Sequence, residues 1–112
     1  MGPTALNSEP AQLQIRAGQE GNCYIVRLVG ALDVAGAGAV EMALVQAEAT
    51  TASRILLDID ELSFIDSSGL ETLMRAKRRT DSRGARLRVT RGTGHVADML
   101  RLTTLDLTLP FV

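Results

Sequence analysis

A chain of 112 residues with 46% apolar residues, one cysteine and a net charge of −1 suits one compact domain and excludes an internal disulfide or a cysteine-based metal site. With 3% aromatics and no tryptophan it lacks the stacking platforms that single-stranded nucleic acid needs, and its near-neutral charge gives no drive toward nucleic acid or membrane. No apolar run approaches a membrane span, and the start MGPTALNSEP has neither the basic opening nor the apolar stretch of a secretory signal. The expectation is a cytoplasmic protein with a flexible tail over residues 1–10 and one domain over 11–112.

Residues 12–17 (QLQIRA) predict a short first strand and 22–30 (NCYIVRLVG) a stronger one, with Gly18 and Gly21 in the hairpin loop between them. In the second strand Tyr24, Val26 and Leu28 share one face. Cys23, Ile25 and Val29 share the other with Arg27, and Cys23 is expected in the core. Residues 34–49 predict a helix, with Val40, Ala43, Leu44 and Ala47 at helical spacing, Asp33 as N-cap, and a first turn weakened by Gly36 and Gly38. Residues 54–59 (RILLDI) are apolar on both faces apart from Asp58, as a central strand covered by helices would be. A second helix runs from Ser68 to Arg79, with Leu70, Leu73, Met74 and the stem of Lys77 on one face.

After a turn at Ser82–Gly84, residues 85–90 (ARLRVT) alternate, with Leu87 and Val89 inward and Arg86, Arg88 and Thr90 outward. Residues 94–101 predict a short helix built on Val96, Met99 and Leu100. Residues 105–109 (LDLTL) predict a last strand, with Pro110 suited to an edge. The order β-β-α-β-α-β-α-β implies an α/β fold: a mixed, mostly parallel sheet with helices packed on it.

Between the third strand and the second helix lies SFIDSSGLETL, residues 63–73. Ser68 and Glu71 have the spacing of a capping box, and Asp66 or Ser67 can also accept from first-turn amides. A nucleophilic serine would need a base. The only histidine, His95, reads as a solvated side chain in a loop or first helical turn, and no G-x-S-x-G elbow is present. A third reading is phosphorylation, since a helix N-terminus carries a phosphate favourably. Its charge would join Asp58, Asp60, Glu61, Asp66 and Glu71, a stretch free of basic residues, and repel a partner without disturbing the fold.

Eight of the twelve basic residues fall between Arg75 and Arg91. A solvated helix face with outward strand positions accounts for them, and DNA binding would need a recognition element that is not apparent. Gly92-Thr93-Gly94 is too short for a phosphate loop. With no base or metal set either, no catalytic residue, metal ligand or cofactor is expected.

DIDELSFIDSSGLETL (58–73) resembles the signature of the STAS domain, and in particular of bacterial anti-sigma factor antagonists. LVGALDVAGA (28–37), RGARLRVTR (83–91) and VADMLRLTTLDLTLPF (96–111) resemble the family's G-x-L-D segment, its fourth strand, and its third helix with the final strand. The resemblance implies a STAS-type fold and a phosphorylation-controlled partner switch. Ser67, directly after Asp66, would be the phosphoacceptor, and Asp33 would lie near it on the partner-binding surface with Ser68, Gly69 and Leu70. The implied partners are an anti-sigma factor that is also a serine kinase of histidine-kinase-like ATPase fold, and a PP2C-type phosphatase. The bare form would bind the anti-sigma factor and release a sigma factor. Some single-domain relatives instead serve as constitutive adaptors in lipid-transport ATPases or stress-signalling assemblies. This chain departs from the pattern after Asp33, where Val34, Ala35 and Gly36 replace hydroxyl or bulky polar residues. Many relatives also carry a further C-terminal helix over the sheet. Here the sequence stops just after Phe111, so an open sheet face or self-association as a homodimer is expected.

Overall fold

The computed structural model describes residues 12–105 and 108–112. The chain runs β1 (Gln14–Glu20), β2 (Cys23–Leu32), α1 (Val34–Glu48), β3 (Arg54–Ile65), α2 (Ser67–Asp81), β4 (Leu87–Val89) and α3 (Gly94–Leu102). The strands lie in the order β1-β2-β3-β4, with β1 antiparallel to β2 and the other two pairings parallel. This is the mixed, mostly parallel α/β arrangement expected. The tail over 1–10 lies outside the described residues. Among the described residues no helix is long and apolar enough to cross a membrane.

The core forms on one face of the sheet. Val26 and Leu28 of β2 and Ile55, Leu57 and Ile59 of β3 meet Val40 and Leu44 of α1, Leu70 and Leu73 of α2, and Val96 and Leu100 of α3 in one buried cluster. The opposite face carries Ile25, Arg27, Val29, Leu56 and Asp58, all half-buried. The two-sided burial expected of 54–59 is therefore one-sided. Cys23 is half-buried at the start of β2, outside the core.

Three boundaries differ from expectation. Gly18 lies inside β1 opposite Ile25, and the hairpin loop is Gly21–Asn22, closed by the pair Glu20 and Cys23. Gly21 has φ +61 at the first loop position, as a type II′ turn demands. β3 continues past Ile59 to Ile65. Its buried residues there are Ile59, Leu62 and Ile65, so period-two alternation fails, and shifts in register against Arg27–Ala31 of β2 absorb the change. Two residues of the last strand expected over 105–109, Asp106 and Leu107, lie outside the described residues. Among the described ones the Leu109 amide donates to the Leu105 carbonyl at 2.9 Å, Leu105, Thr108 and Leu109 lie in no strand, and Phe111 bridges to Val89. β4 is three residues long and Pro110 has no N–H, so little ladder is available.

Side chains lock the layers together. Arg79 of α2 donates to Glu48 at 2.9 Å and to Glu41 at 2.6 Å, both on α1. Its hydrogen bond to Glu48 raises the guanidinium pKa against the opposing effect of burial. Arg86 donates to the carbonyls of Glu48 (2.6 Å), Thr50 (3.1 Å) and Ala52 (2.5 Å), which closes the C-terminal end of α1.

On the open sheet face Arg27 and Asp58 are register partners joined at 2.9 Å. Burial alone would raise the Asp58 carboxyl. The Asp60 amide, the Arg27 guanidinium and the Thr90 hydroxyl outweigh it and hold the group below its ordinary value. A depressed folded pKa means stability that is fully present above the unfolded value of about 3.9 and lost as pH falls through the lower folded value. Urea melts between about pH 6 and 2 should show this acid loss, and Asp58→Asn should flatten it.

Candidate functional site

β2 and β3 end in register, with Leu32 opposite Ile65. The next residue on each strand is an aspartate that caps a helix. Asp33 Oδ1 accepts from the Ala35 amide at 3.0 Å, and Asp66 Oδ1 accepts from the Gly69 amide at 3.1 Å. Both caps are extended, with φ −127 and ψ −169 at Asp33 and φ −113 and ψ −172 at Asp66. Adjacent strands lie about 4.8 Å apart, so α1 and α2 begin side by side. The Asp66 amide also donates to the Leu32 carbonyl at 3.2 Å, tying the second cap to the neighbouring strand.

This geometry separates the readings of the two serines. Asp66 is the N-cap, so the Ser68–Glu71 capping box does not form. A carboxylate accepts more strongly than a hydroxyl, and from its position Asp66 reaches the third helical amide. Ser68 sits inside the first turn, where its carbonyl accepts from Thr72 Oγ1 at 3.0 Å, and Glu71 pairs with Arg75 at 3.1 Å. Ser67 is the first residue of α2. It is exposed, and its hydroxyl makes no hydrogen bond among the described residues. The first intrahelical bond runs from the Leu70 amide to the Asp66 carbonyl, so the amides of Ser67 and Ser68 have no partner within the helix. Asp66→Ala should therefore cost about 1 kcal/mol in urea unfolding, with Ser68→Ala close to neutral.

Gly69 and Leu70 lie beneath this surface. Leu70 is buried in the core cluster. A Cβ at Gly69 would stand 2.7 Å from Ile65 Cγ1 and 2.8 Å from Leu32 Cγ, so only glycine lets α2 start this close to the two strand ends. Asp33, Asp66, Ser67 and Ser68 thus share one end of the sheet, and Gly69 and Leu70 anchor it from below.

Two neighbours were not legible in the sequence. His95 is exposed in the first turn of α3, as expected, but its ring stacks on Phe64 with centroids 5.2 Å apart and 4° between planes. Its Nε2 lies 3.4 Å from the Ile65 carbonyl. This aromatic plate stands beside the start of α2, and Val34, 74% exposed, opens α1 nearby. Nothing in the sequence couples position 64 to 95, and the strand that carries Phe64 was expected to end at Ile59.

The charged runs also read differently in three dimensions. Asp58 is held by Arg27, and Asp60 Oδ1 accepts from the Gly92 amide at 3.0 Å, so neither borders Ser67 as a free charge. Closest to it in sequence are Asp66, engaged in the cap, and Glu71, paired with Arg75, and then the exposed Glu61. Of the basic residues, Arg75, Lys77 and Arg79 pair with carboxylates, Arg86 and Arg88 donate to carbonyls, and Arg91 lies 4.9 Å over the Phe111 ring.

Among solved structures the chain is similar to an anti-sigma factor antagonist from Mycobacterium paratuberculosis, with a TM-score of 0.77 and 22% identity over 89% of this chain and 85% of that one. It is similar to the anti-sigma factor antagonist SpoIIAA in its unphosphorylated form, with a TM-score of 0.67 and 18% identity over 88% of this chain and 86% of that one. The Bacillus cell fate determinant SpoIIAA in the phosphorylated form matches with a TM-score of 0.68 and 17% identity, covering 88% and 89% of the two chains. Comparison with curated proteins gives no match. Among protein families, residues 14–111 match the STAS domain, and with its mixed sheet and paired helix starts the chain belongs to the STAS domain family.

Proposed function

We propose that this chain is an anti-sigma factor antagonist switched at Ser67. The observation that carries the reading is the idle hydroxyl: Asp66 does the capping, so the exposed Ser67 Oγ has no structural task. Two solved structures with this fold are anti-sigma factor antagonists by description, and a third is a phosphorylated form, which supports the same reading.

In this reading the bare protein binds an anti-sigma factor that is also a serine kinase of histidine-kinase-like ATPase fold, and a sigma factor is released. Asp33, Asp66, Ser67 and Ser68 make the contact, with Gly69 and Leu70 setting the first turn of α2. The kinase transfers the γ-phosphoryl group of ATP to Ser67 Oγ, ADP leaves, and the hydroxyl proton passes to a base on the kinase. The phosphate adds about −1.5 to −2 charges. The free amides of Ser67 and Ser68 and the helix dipole accommodate it, so the fold stays intact. A partner fitted to the neutral surface meets new charge and bulk beside Asp33 and Asp66 and lets go. A PP2C-type phosphatase restores the bare form. The reading places the protein in the cytoplasm.

The test is to incubate the protein with ATP and each candidate kinase and to map the tryptic peptide Ile55–Arg75, which holds the whole motif. One phosphate on Ser67, absent in Ser67→Ala, is expected. The phosphorylated protein should bind its partner at least tenfold more weakly, a difference of about 1.4 kcal/mol, and Ser67→Ala should bind like the bare form. No phosphate with any kinase, or equal binding by both forms, would transfer the assignment to a constitutive STAS adaptor.

A further inference from the structure

At the far end of β3 from Ser67 lies a cavity of about 470 Å³, walled by Ser53, the Gly84–Ala85 turn, the arginines Arg54, Arg86 and Arg88, and Val112. Along β3 the two ends are roughly 35 Å apart at ~3.3 Å per residue. No acidic side chain lines this cavity. Among the described residues none of its three arginines pairs with a carboxylate, unlike Arg27, Arg75, Arg79 and Arg101.

The three arginines have different duties. Arg86 is fixed by its bonds to the carbonyls of Glu48, Thr50 and Ala52, so it forms a rigid wall. Arg88 uses one terminal nitrogen on the carbonyls of Ala85 (3.1 Å) and Leu87 (2.7 Å) and keeps its other donors. Arg54 makes no side-chain hydrogen bond among the described residues and is exposed. Carbonyl dipoles hold a guanidinium in place without cancelling its charge. Three positive charges against the single main-chain carboxylate of Val112 leave the concavity net positive and focus the field there. The wall is also strained. Ala85 holds φ +54 directly after Gly84 at φ +98, a conformation that costs a residue with a Cβ about 1 kcal/mol. Such strain concentrates at ligand-binding surfaces.

We propose that this cavity binds a small multivalent phosphate anion, with Arg54 and Arg88 donating to its oxygens and Arg86 forming the back wall. Arginine forks match tetrahedral oxyanions, and a cavity of this size lies within the ~300–1,000 Å³ usual for small ligands. The site is separate from Ser67 and does not depend on the switch.

Pyrophosphate is the probe, titrated at fixed ionic strength with chloride as balancing anion and followed by thermal melting and calorimetry. A rise in Tm of about 5 °C is expected once pyrophosphate exceeds its Kd tenfold. The double variant Arg54→Gln/Arg88→Gln spares the carbonyl bonds of Arg86 and gives up only those of the exposed Arg88 to Ala85 and Leu87, so it should melt close to the parent without ligand yet lose the shift. Ser67→Ala should keep it. No shift at millimolar pyrophosphate, an equal shift with chloride alone, or an undiminished shift in the double variant would each overturn the site.

Discussion

Arg79→Met should lower the free energy of unfolding by about 3 kcal/mol, the cost of removing one partner from a largely buried ion pair. Arg79 is the joint between the two long helices. Its guanidinium meets Glu48, whose side chain is 5% exposed, and Glu41, whose side chain is 29% exposed. Methionine keeps the stem and removes the charge, which strands the Glu48 carboxylate in the interface. Glu41 Oε1 already lacks a hydrogen bond, and its other cation, Arg75, stands 4.0 Å away and is shared with Glu71. For a domain of this size the loss amounts to a fall in Tm of roughly 12–20 °C. Adding Glu48→Gln to the variant should recover part of the loss at pH 7, and thermal melts of the single and double variants check both statements.

Gly69→Ala is the second large effect, a net loss of about 2 kcal/mol. Alanine is intrinsically the better helix former by roughly 1 kcal/mol, so the sign is informative. The new methyl would stand 2.7 Å from Ile65 Cγ1 and 2.8 Å from Leu32 Cγ, and both of those side chains are fully buried. Neither offers a free end that can swing away, so α2 itself must lift from the strand ends. Under the proposed switch the folded variant should also be a poorer kinase substrate than its stability loss explains, because the lift moves Ser67. Urea unfolding gives the first quantity, and the rate of Ser67 phosphorylation at a temperature where the variant is fully folded gives the second.

Much of this architecture was legible in the residues. The alternation of Tyr24, Val26 and Leu28 marks the core face of β2, and Val40, Leu44 and Ala47 mark the buried side of α1. The start of α2 was legible to within one residue, since Asp66, Ser67, Ser68 and Glu71 are all credible near a helix N-terminus. What the residues alone could not decide is which group reaches an amide first. The extension of β3 was hidden because Ile59, Leu62 and Ile65 are buried at every third position, a spacing that register shifts permit and simple alternation does not. LDLTL alternates like a strand, yet among the described residues Leu105, Thr108 and Leu109 join no strand, and β4 beside them is three residues long. The basic stretch looked like a surface feature because the carboxylates that neutralise Arg79 come from Glu41 and Glu48, on another helix. The Phe64–His95 plate depends wholly on tertiary packing.

The division of labour at the start of α2 has an evolutionary consequence. Folding constrains Asp66 through its cap and Gly69 through the space it leaves, whereas Ser67 sits between them with no part in either. Selection for stability is blind to that one position. A lineage could therefore shed the hydroxyl in a single substitution and keep the domain whole, which under the proposed switch would turn a regulated binder into a permanently engaged one. Descendants of one scaffold could diverge into switched and unswitched forms without crossing a folding barrier.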